Sequence, residues 1–88
     1  MTWKIEFDDS ASKEFKKLDL SSQKVISRYL RDRVLGTKHP QDLGKPMKYG
    51  YVGLWRYRVD KFHIICKIED SALVVLVLKI VMRDNVYN

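Results

Sequence analysis

Leu54-Trp55-Arg56-Tyr57-Arg58-Val59-Asp60-Lys61-Phe62-His63-Ile64-Ile65-Cys66-Lys67-Ile68, residues 54–68, decides the fold. Two alternating runs flank the pair Asp60-Lys61. In the first, Trp55, Tyr57 and Val59 oppose Leu54, Arg56 and Arg58. In the second, Phe62, Ile64, Cys66 and Ile68 oppose His63, Ile65 and Lys67. A period of two with one apolar side marks a strand that buries one face. A two-residue turn at Asp60-Lys61 closes these strands into an antiparallel hairpin, with Val59 facing Phe62, Arg58 facing His63 and Arg56 facing Ile65. Arg56, Arg58 and His63 then share one face, and Arg58 and His63 are cross-strand neighbours. The register carries this inference, because a slip of one residue sends every side chain to the opposite face.

Upstream of the hairpin, Thr2 to Phe7 alternates, with Trp3, Ile5 and Phe7 on one side, and reads as a half-buried strand. Asp8-Asp9-Ser10 supplies N-cap residues for a short helix carrying Ala11, Phe15 and Leu18 inward and Lys13, Lys16 and Lys17 outward. Asp19-Leu20-Ser21-Ser22 restarts the pattern. A second helix follows, with the stripe Val25, Ile26, Tyr29, Leu30 and Val34, while Lys24, Arg28, Arg31 and Arg33 lie mostly off it. Gly36 suits the position after its C-terminus, and Pro40 prevents simple continuation. The two helices form an antiparallel hairpin. Residues 36–53 hold Gly36, Pro40, Gly44, Pro46, Gly50 and Gly53 without a clear period and read as loop. Leu73 to Met82 is nearly all apolar and β-branched, as a central strand buried on both faces requires.

The order β-α-α-β-β-β predicts an α+β fold: an N-terminal helix hairpin packed on one face of a mainly antiparallel four-stranded sheet. With 88 residues the chain is read as one domain over 1–88. Trp3, Phe7, Phe15, Leu18, Ile26, Leu30, Trp55, Ile64 and Val77 are the expected core.

The chain carries 17 Lys and Arg against 11 Asp and Glu, a net charge of +6. Residues 38–67 hold Lys38, Lys45, Lys48, Arg56, Arg58, Lys61 and Lys67 against Asp42 and Asp60, so most of the excess lies there. An anion site belongs in that third. The single cysteine, Cys66, excludes an intramolecular disulfide and falls with Phe62 and Ile64, as a core residue rather than a nucleophile. The start of the chain lacks the apolar stretch of a signal peptide, and no run approaches the ~20 apolar residues of a membrane span, so a cytoplasmic protein with no membrane partner is expected. There is no phosphate-binding loop, dinucleotide fingerprint, paired-carboxylate signature or Cys/His cluster, and His39 has no metal-ligating partner at useful spacing. No cofactor and no metal are expected. Trp3 and Trp55 have apolar same-face neighbours and read as core rather than as base-stacking platforms. Two readings of Arg56, Arg58 and His63 stand together: a solvated sheet face, or an anion site. Two also stand for the tail 82–88: terminal packing of Tyr87 with Arg83 paired to Asp84 or Glu69, or a second part of that site.

Gly53-Leu54-Trp55-Arg56-Tyr57-Arg58-Val59, then Phe62-His63-Ile64-Ile65, then Arg83 with Val86-Tyr87 resemble the RelE/ParE superfamily of toxins of bacterial type II toxin–antitoxin systems. The resemblance covers essentially the whole chain. RelE-like members are endoribonucleases that cut mRNA, usually in the ribosomal A site; ParE-like members poison DNA gyrase and are not nucleases. The RelE-like side implies a metal-independent, ribosome-dependent mRNA endoribonuclease. Its catalytic set here is Arg56, Arg58, His63, Arg83 and Tyr87, with RNA also held by Lys45, Lys48 and Lys61. Arginines stay protonated, so Arg56, Arg58 and Arg83 suit phosphate binding and charge stabilisation. Tyr87 stacks on a base or acts as general base, and His63 is the other acid–base candidate. His63 stands where the family usually has Arg, and Val81-Met82 where many members have Gly-His. The implied partners are a cognate antitoxin, the ribosome with its mRNA, and operator DNA only through a toxin–antitoxin complex. A gyrase inhibitor without nuclease chemistry and a non-catalytic nucleic-acid-binding domain are the competing readings.

Overall fold

Residues 2–48 and 53–82 are described by the computed structural model of the chain. Strand β1 spans Lys4–Phe7, helix α1 Asp9–Lys16 and helix α2 Leu20–Tyr29. Strands β2 (Lys45–Pro46), β3 (Trp55–Val59), β4 (Phe62–Glu69) and β5 (Val74–Met82) follow. They form a five-stranded sheet in the order β1-β5-β4-β3-β2, with β1 parallel to β5 and every other pairing antiparallel. The helices cover one face. The α+β architecture and element order are as expected, but the sheet has five strands rather than four. The additional strand, β2, pairs Lys45 with Arg56 and Pro46 with Trp55. Two residues are too few to show alternation, and a proline without an amide proton is tolerated at a sheet edge.

The Asp8 side chain caps α1 by accepting the Ala11 amide at 2.8 Å. Helix α2 runs into one wider turn over Leu30–Val34, in which the Leu35 amide donates to the Leu30 carbonyl at 2.9 Å. Ile26, Leu30 and Val34 are all buried at four-residue intervals. In an α-helix each such step drifts about 40° around the axis; the wider turn cancels that drift and keeps the line on the sheet. The stripe read from sequence is narrower than expected as a result, and Val25, assigned to it, is 39% exposed.

The core joins this line to Tyr57, Val59, Phe62, Ile64, Cys66, Val75, Val77 and Ile80. Of the expected core, Ile26, Leu30, Ile64 and Val77 are buried, while Trp3, Phe7, Phe15, Leu18 and Trp55 pack half-buried at its rim. Strand β5 is interior in the sheet but unevenly covered: away from the helices Val74 is buried, Leu76, Leu78 and Val81 are half-buried, and Lys79 and Met82 are exposed. Its pairing with β4 passes from Ile65↔Lys79 to Cys66↔Val77, so Leu78 is an extra residue at a bulge. The bulge shifts the alternation by one, sending Val75, Val77 and Ile80 all to the helix side.

Three aromatic donors fasten the connection after α2 to the sheet. Trp3 Nε1 donates to the Lys38 carbonyl (3.2 Å), Tyr57 Oη to that of Pro40 (2.7 Å) and Trp55 Nε1 to that of Leu43 (2.6 Å). These bonds fix residues 38–43 and so deliver Gly44 and Lys45 to the edge of β3.

Candidate functional site

The hairpin has the expected register: Val59↔Phe62, Arg58↔His63 and Arg56↔Ile65. Asp60 adopts φ of 53° at the turn, a left-handed conformation that Asp tolerates better than most residues. The pleat turns Tyr57 and Val59 into the core and presents Arg56 and Arg58 on the face away from the helices. Lys45 lies opposite Arg56 from the other side. Gly44, Lys45, Arg56, Arg58 and His63 line a cleft of about 280 Å3. Arg58 is exposed, Arg56 half-buried and His63 only 1% exposed, so the imidazole lies at the floor and the cations form the walls.

Gly44 belongs to the site although its sequence context did not distinguish it from the other loop glycines. It has φ of 72°, and a β-carbon there would collide with the Arg56 carbonyl oxygen and come within 2.8 Å of Tyr57 Cδ1. The absence of a side chain lets the chain cross Arg56 closely and bring Lys45 beside it.

Among the described residues the lining holds three cations and no carboxylate. Among the described residues the ion pairs are Arg31–Asp32 at 3.0 Å and Lys67–Glu69 at 3.7 Å, neither of which involves a cleft cation. An anion entering the cleft therefore meets donors that no acidic side chain among the described residues has claimed. The geometry suits a phosphodiester: two guanidinium forks and an ammonium on three adjacent strand positions.

Other sequence candidates fall elsewhere. Lys48 is exposed beyond β2 and outside the lining. Lys61 sits on the turn with its ammonium 5.7 Å from the centroid of the Phe62 ring, also outside the lining. Arg83 and Tyr87 lie outside the described residues. Cys66 is fully buried on the helix side, and desolvation pushes its thiol up to about 12, as fits a core residue and not a nucleophile. His39 is exposed. Among the described residues no three His, Cys, Asp or Glu side chains form a group that can hold a metal ion, and no helix is long and apolar enough to cross a membrane.

The ParE toxin of the type II toxin–antitoxin system parDE has a family model that matches residues 5–87. No curated protein matches the sequence significantly. The fold matches the RelBE2 toxin–antitoxin complex of Mycobacterium tuberculosis with a TM-score of 0.83 at 18% identity, over 94% of this chain and 100% of that one. It matches the isolated RelE toxin of E. coli with a TM-score of 0.73 at 20% identity, over 99% and 92%. The YoeB/ParE toxin of Agrobacterium tumefaciens matches with 0.66 at 17% identity, over 90% and 96%. At these identities the structural likeness is one of fold.

Proposed function

The chain belongs to the ParE toxin family, within the RelE/ParE superfamily of type II toxin–antitoxin systems, and we propose that it is a metal-independent, ribosome-dependent mRNA endoribonuclease that inhibits translation. The observation that supports this reading is the cleft itself: Lys45, Arg56 and Arg58 grouped over His63, with no carboxylate in the lining among the described residues.

Metal-free RNA cleavage needs the 2′-hydroxyl deprotonated, the growing charge of the pentacovalent phosphorane stabilised and the leaving 5′-oxygen protonated. The 2′-oxygen forms a bond to phosphorus as the bond to the 5′-oxygen breaks, leaving a cyclic phosphate and a free 5′-hydroxyl. In this proposal Arg56 and Arg58 hold the scissile phosphate, and Lys45 adds charge from the facing strand. Arg83 adds charge stabilisation for the leaving oxygen. His63, paired with Arg58 across the strands, and Tyr87 are the two candidates for the base. Cations around a phenol lower its pKa from the reference ~10. Lys48 and Lys61 contact RNA further out. The ribosome supplies the orientation of the mRNA, which is worth a large share of the barrier.

A cognate antitoxin is the partner this reading requires. An apolar groove of about 360 Å3 beside β1, lined in part by Ile5, Phe7, Phe15 and Leu30, offers it a surface on the opposite side of the sheet from the cleft. Operator DNA enters only through that complex.

One observation favours a second reading. The matching family model is that of the ParE toxin, and the ParE-like branch inhibits DNA gyrase without nuclease chemistry. Primer extension on a translated mRNA, run beside a gyrase supercoiling assay, decides between them. Discrete cleavage sites with unaffected supercoiling are expected; blocked supercoiling without cleavage overturns the proposal.

A further inference from the structure

A second hollow, of about 390 Å3, adjoins the cleft. Arg28, Tyr29, Asp32, Arg33, Arg58 and Asp60 are among the residues that line it. Arg58 lines both spaces. Strand β2 pairs only with Trp55 and Arg56, so the edge of β3 beyond them carries no neighbouring strand among the described residues, and the surface passes around it from cleft to hollow. On the far side stands the end of α2.

The chemistry of this hollow differs from that of the cleft. The Arg33 guanidinium carbon lies 5.9 Å from the centroid of the Tyr29 ring, and that ring packs against Tyr57 at 6.0 Å and a tilt of 58°. Tyr57 is fully buried, so the Arg33–Tyr29 contact stands on a rigid base. Of the two carboxylates, Asp32 is engaged by Arg31 at 3.0 Å. Among the described residues no ion pair occupies Arg28, Arg33 or Arg58. A planar cation on an aromatic ring beside two further guanidiniums is what a nucleotide needs: a platform for its base and donors for its phosphate.

The geometry points to a flanking-nucleotide subsite. The RNA strand whose scissile phosphate lies in the cleft continues past Arg58, places the next phosphate at Arg28 and stacks the next base on Arg33 over Tyr29. This inference rests on the ribonuclease reading and extends it to substrate length. Single-stranded RNA, rather than an acidic protein segment, is the occupant. The two hollows share one phosphate-binding side chain, and a stacking platform serves a base better than a carboxylate.

The test compares the wild-type protein with R28A/R33A by fluorescence anisotropy, using single-stranded RNAs of two and ten nucleotides over a range of salt. For the ten-mer, about a tenfold loss of affinity is expected, the scale of one phosphate contact and one stacked base. The salt dependence should flatten by about 0.7 in slope, for one lost phosphate contact on a single strand. The dinucleotide, whose single phosphodiester fills the cleft alone, should bind within about twofold of wild type, and thermal melting should be unchanged. A second variant, R28K/R33K, should keep the salt slope but recover only part of the affinity, since lysine lacks the stacking plane. Equal losses on both lengths, or none on the ten-mer, overturn the subsite while leaving the ribonuclease reading intact. Loss of antitoxin binding with the ten-mer unaffected makes the hollow a protein-docking surface and also overturns it. A wild-type protein that binds neither RNA overturns the subsite, and the ribonuclease reading then stands or falls by primer extension on a translated mRNA.

Discussion

The Glu14 carboxylate accepts the backbone amide of Ile80 at 3.2 Å, a side-chain bond that completes a sheet ladder. Strand β1 pairs with β5 only from Lys4↔Val74 to Phe7↔Val77. Beyond that point the Asp8 amide donates to the Val77 carbonyl at 3.0 Å, and the chain turns into α1. The Ile80 amide, just past the bulge, faces helix α1 instead of a strand. Glu14→Ala is expected to cost about 1–3 kcal/mol, because a part-buried donor is left without its acceptor. Glu14→Gln keeps a carbonyl oxygen and should retain most of the stability. Urea denaturation of both variants measures this, and an alanine variant as stable as wild type refutes the role.

Gly44→Ala should destabilise the protein by about 2–3 kcal/mol, since it combines an unfavourable φ with a collision against the backbone of β3. The wall of the cleft moves with it, so RNA affinity should fall in the same variant. Thermal melting and anisotropy together check the pairing, and normal melting with normal binding contradicts it.

Stability should fall at alkaline pH, beginning near the ordinary pKa of Cys66. Burial raises that thiol from 9.0 to about 12, and burial also raises the Tyr57 phenol above its ordinary 10.0. A group that holds its proton more tightly when folded contributes fully below its unfolded pKa and loses that contribution as pH rises towards its folded one. From pH 9 the slope should approach about 1.4 kcal/mol per pH unit, from Cys66 alone. In Cys66→Ala the onset should move to near pH 10, where Tyr57 takes over. Denaturant midpoints between pH 8 and pH 10 measure it; a flat profile in wild type, or an unmoved onset in the variant, rules it out.

On the proposed mechanism, Arg83→Ala should abolish growth inhibition and mRNA cleavage. Loss of one charged donor from a transition-state site costs about 10²–10³ in rate, by analogy with oxyanion-hole deletions. Stability should change by no more than about 0.5 kcal/mol. Lys at 83 should rescue only partly, without the planar fork. A variant that melts like wild type and stays fully toxic removes Arg83 from the mechanism.

The hairpin and its cationic face were legible because Asp60-Lys61 separates two clean alternations and a two-residue turn leaves one register. Three features were not legible, each for a physical reason. Strand β2 is held by its neighbour and by the Trp55 and Tyr57 side chains, not by a pattern of its own. The stripe through Val25 looked like an ordinary helix face; the wide turn at Leu30–Val34 shifted the buried line to Ile26, Leu30 and Val34. The bulge at Leu78 left no trace, because apolar residues stand on both sides of it and a one-residue shift of phase is invisible in such a run. In the site itself, the joining of Arg56, Arg58 and His63 could be read from the hairpin. Lys45 enters through β2, and the contribution of Gly44 depends on a crossing that only the fold creates.

The parallel pairing of β1 with β5 sets the order of assembly against the order of synthesis. Strand β1 is made first, yet its one strand partner among the described residues is β5, some 70 positions later. Residues up to Glu69 supply two helices and the strands β2-β3-β4 but nothing that joins them to β1, so without β5 Ile5 and Phe7 have no strand beside them. Pairings this distant in sequence close late and slowly. Insertion of residues 74–82 between β1 and β4 is therefore the event that turns separate pieces into a folded toxin, and a translating chain remains unassembled until that segment has left the ribosome.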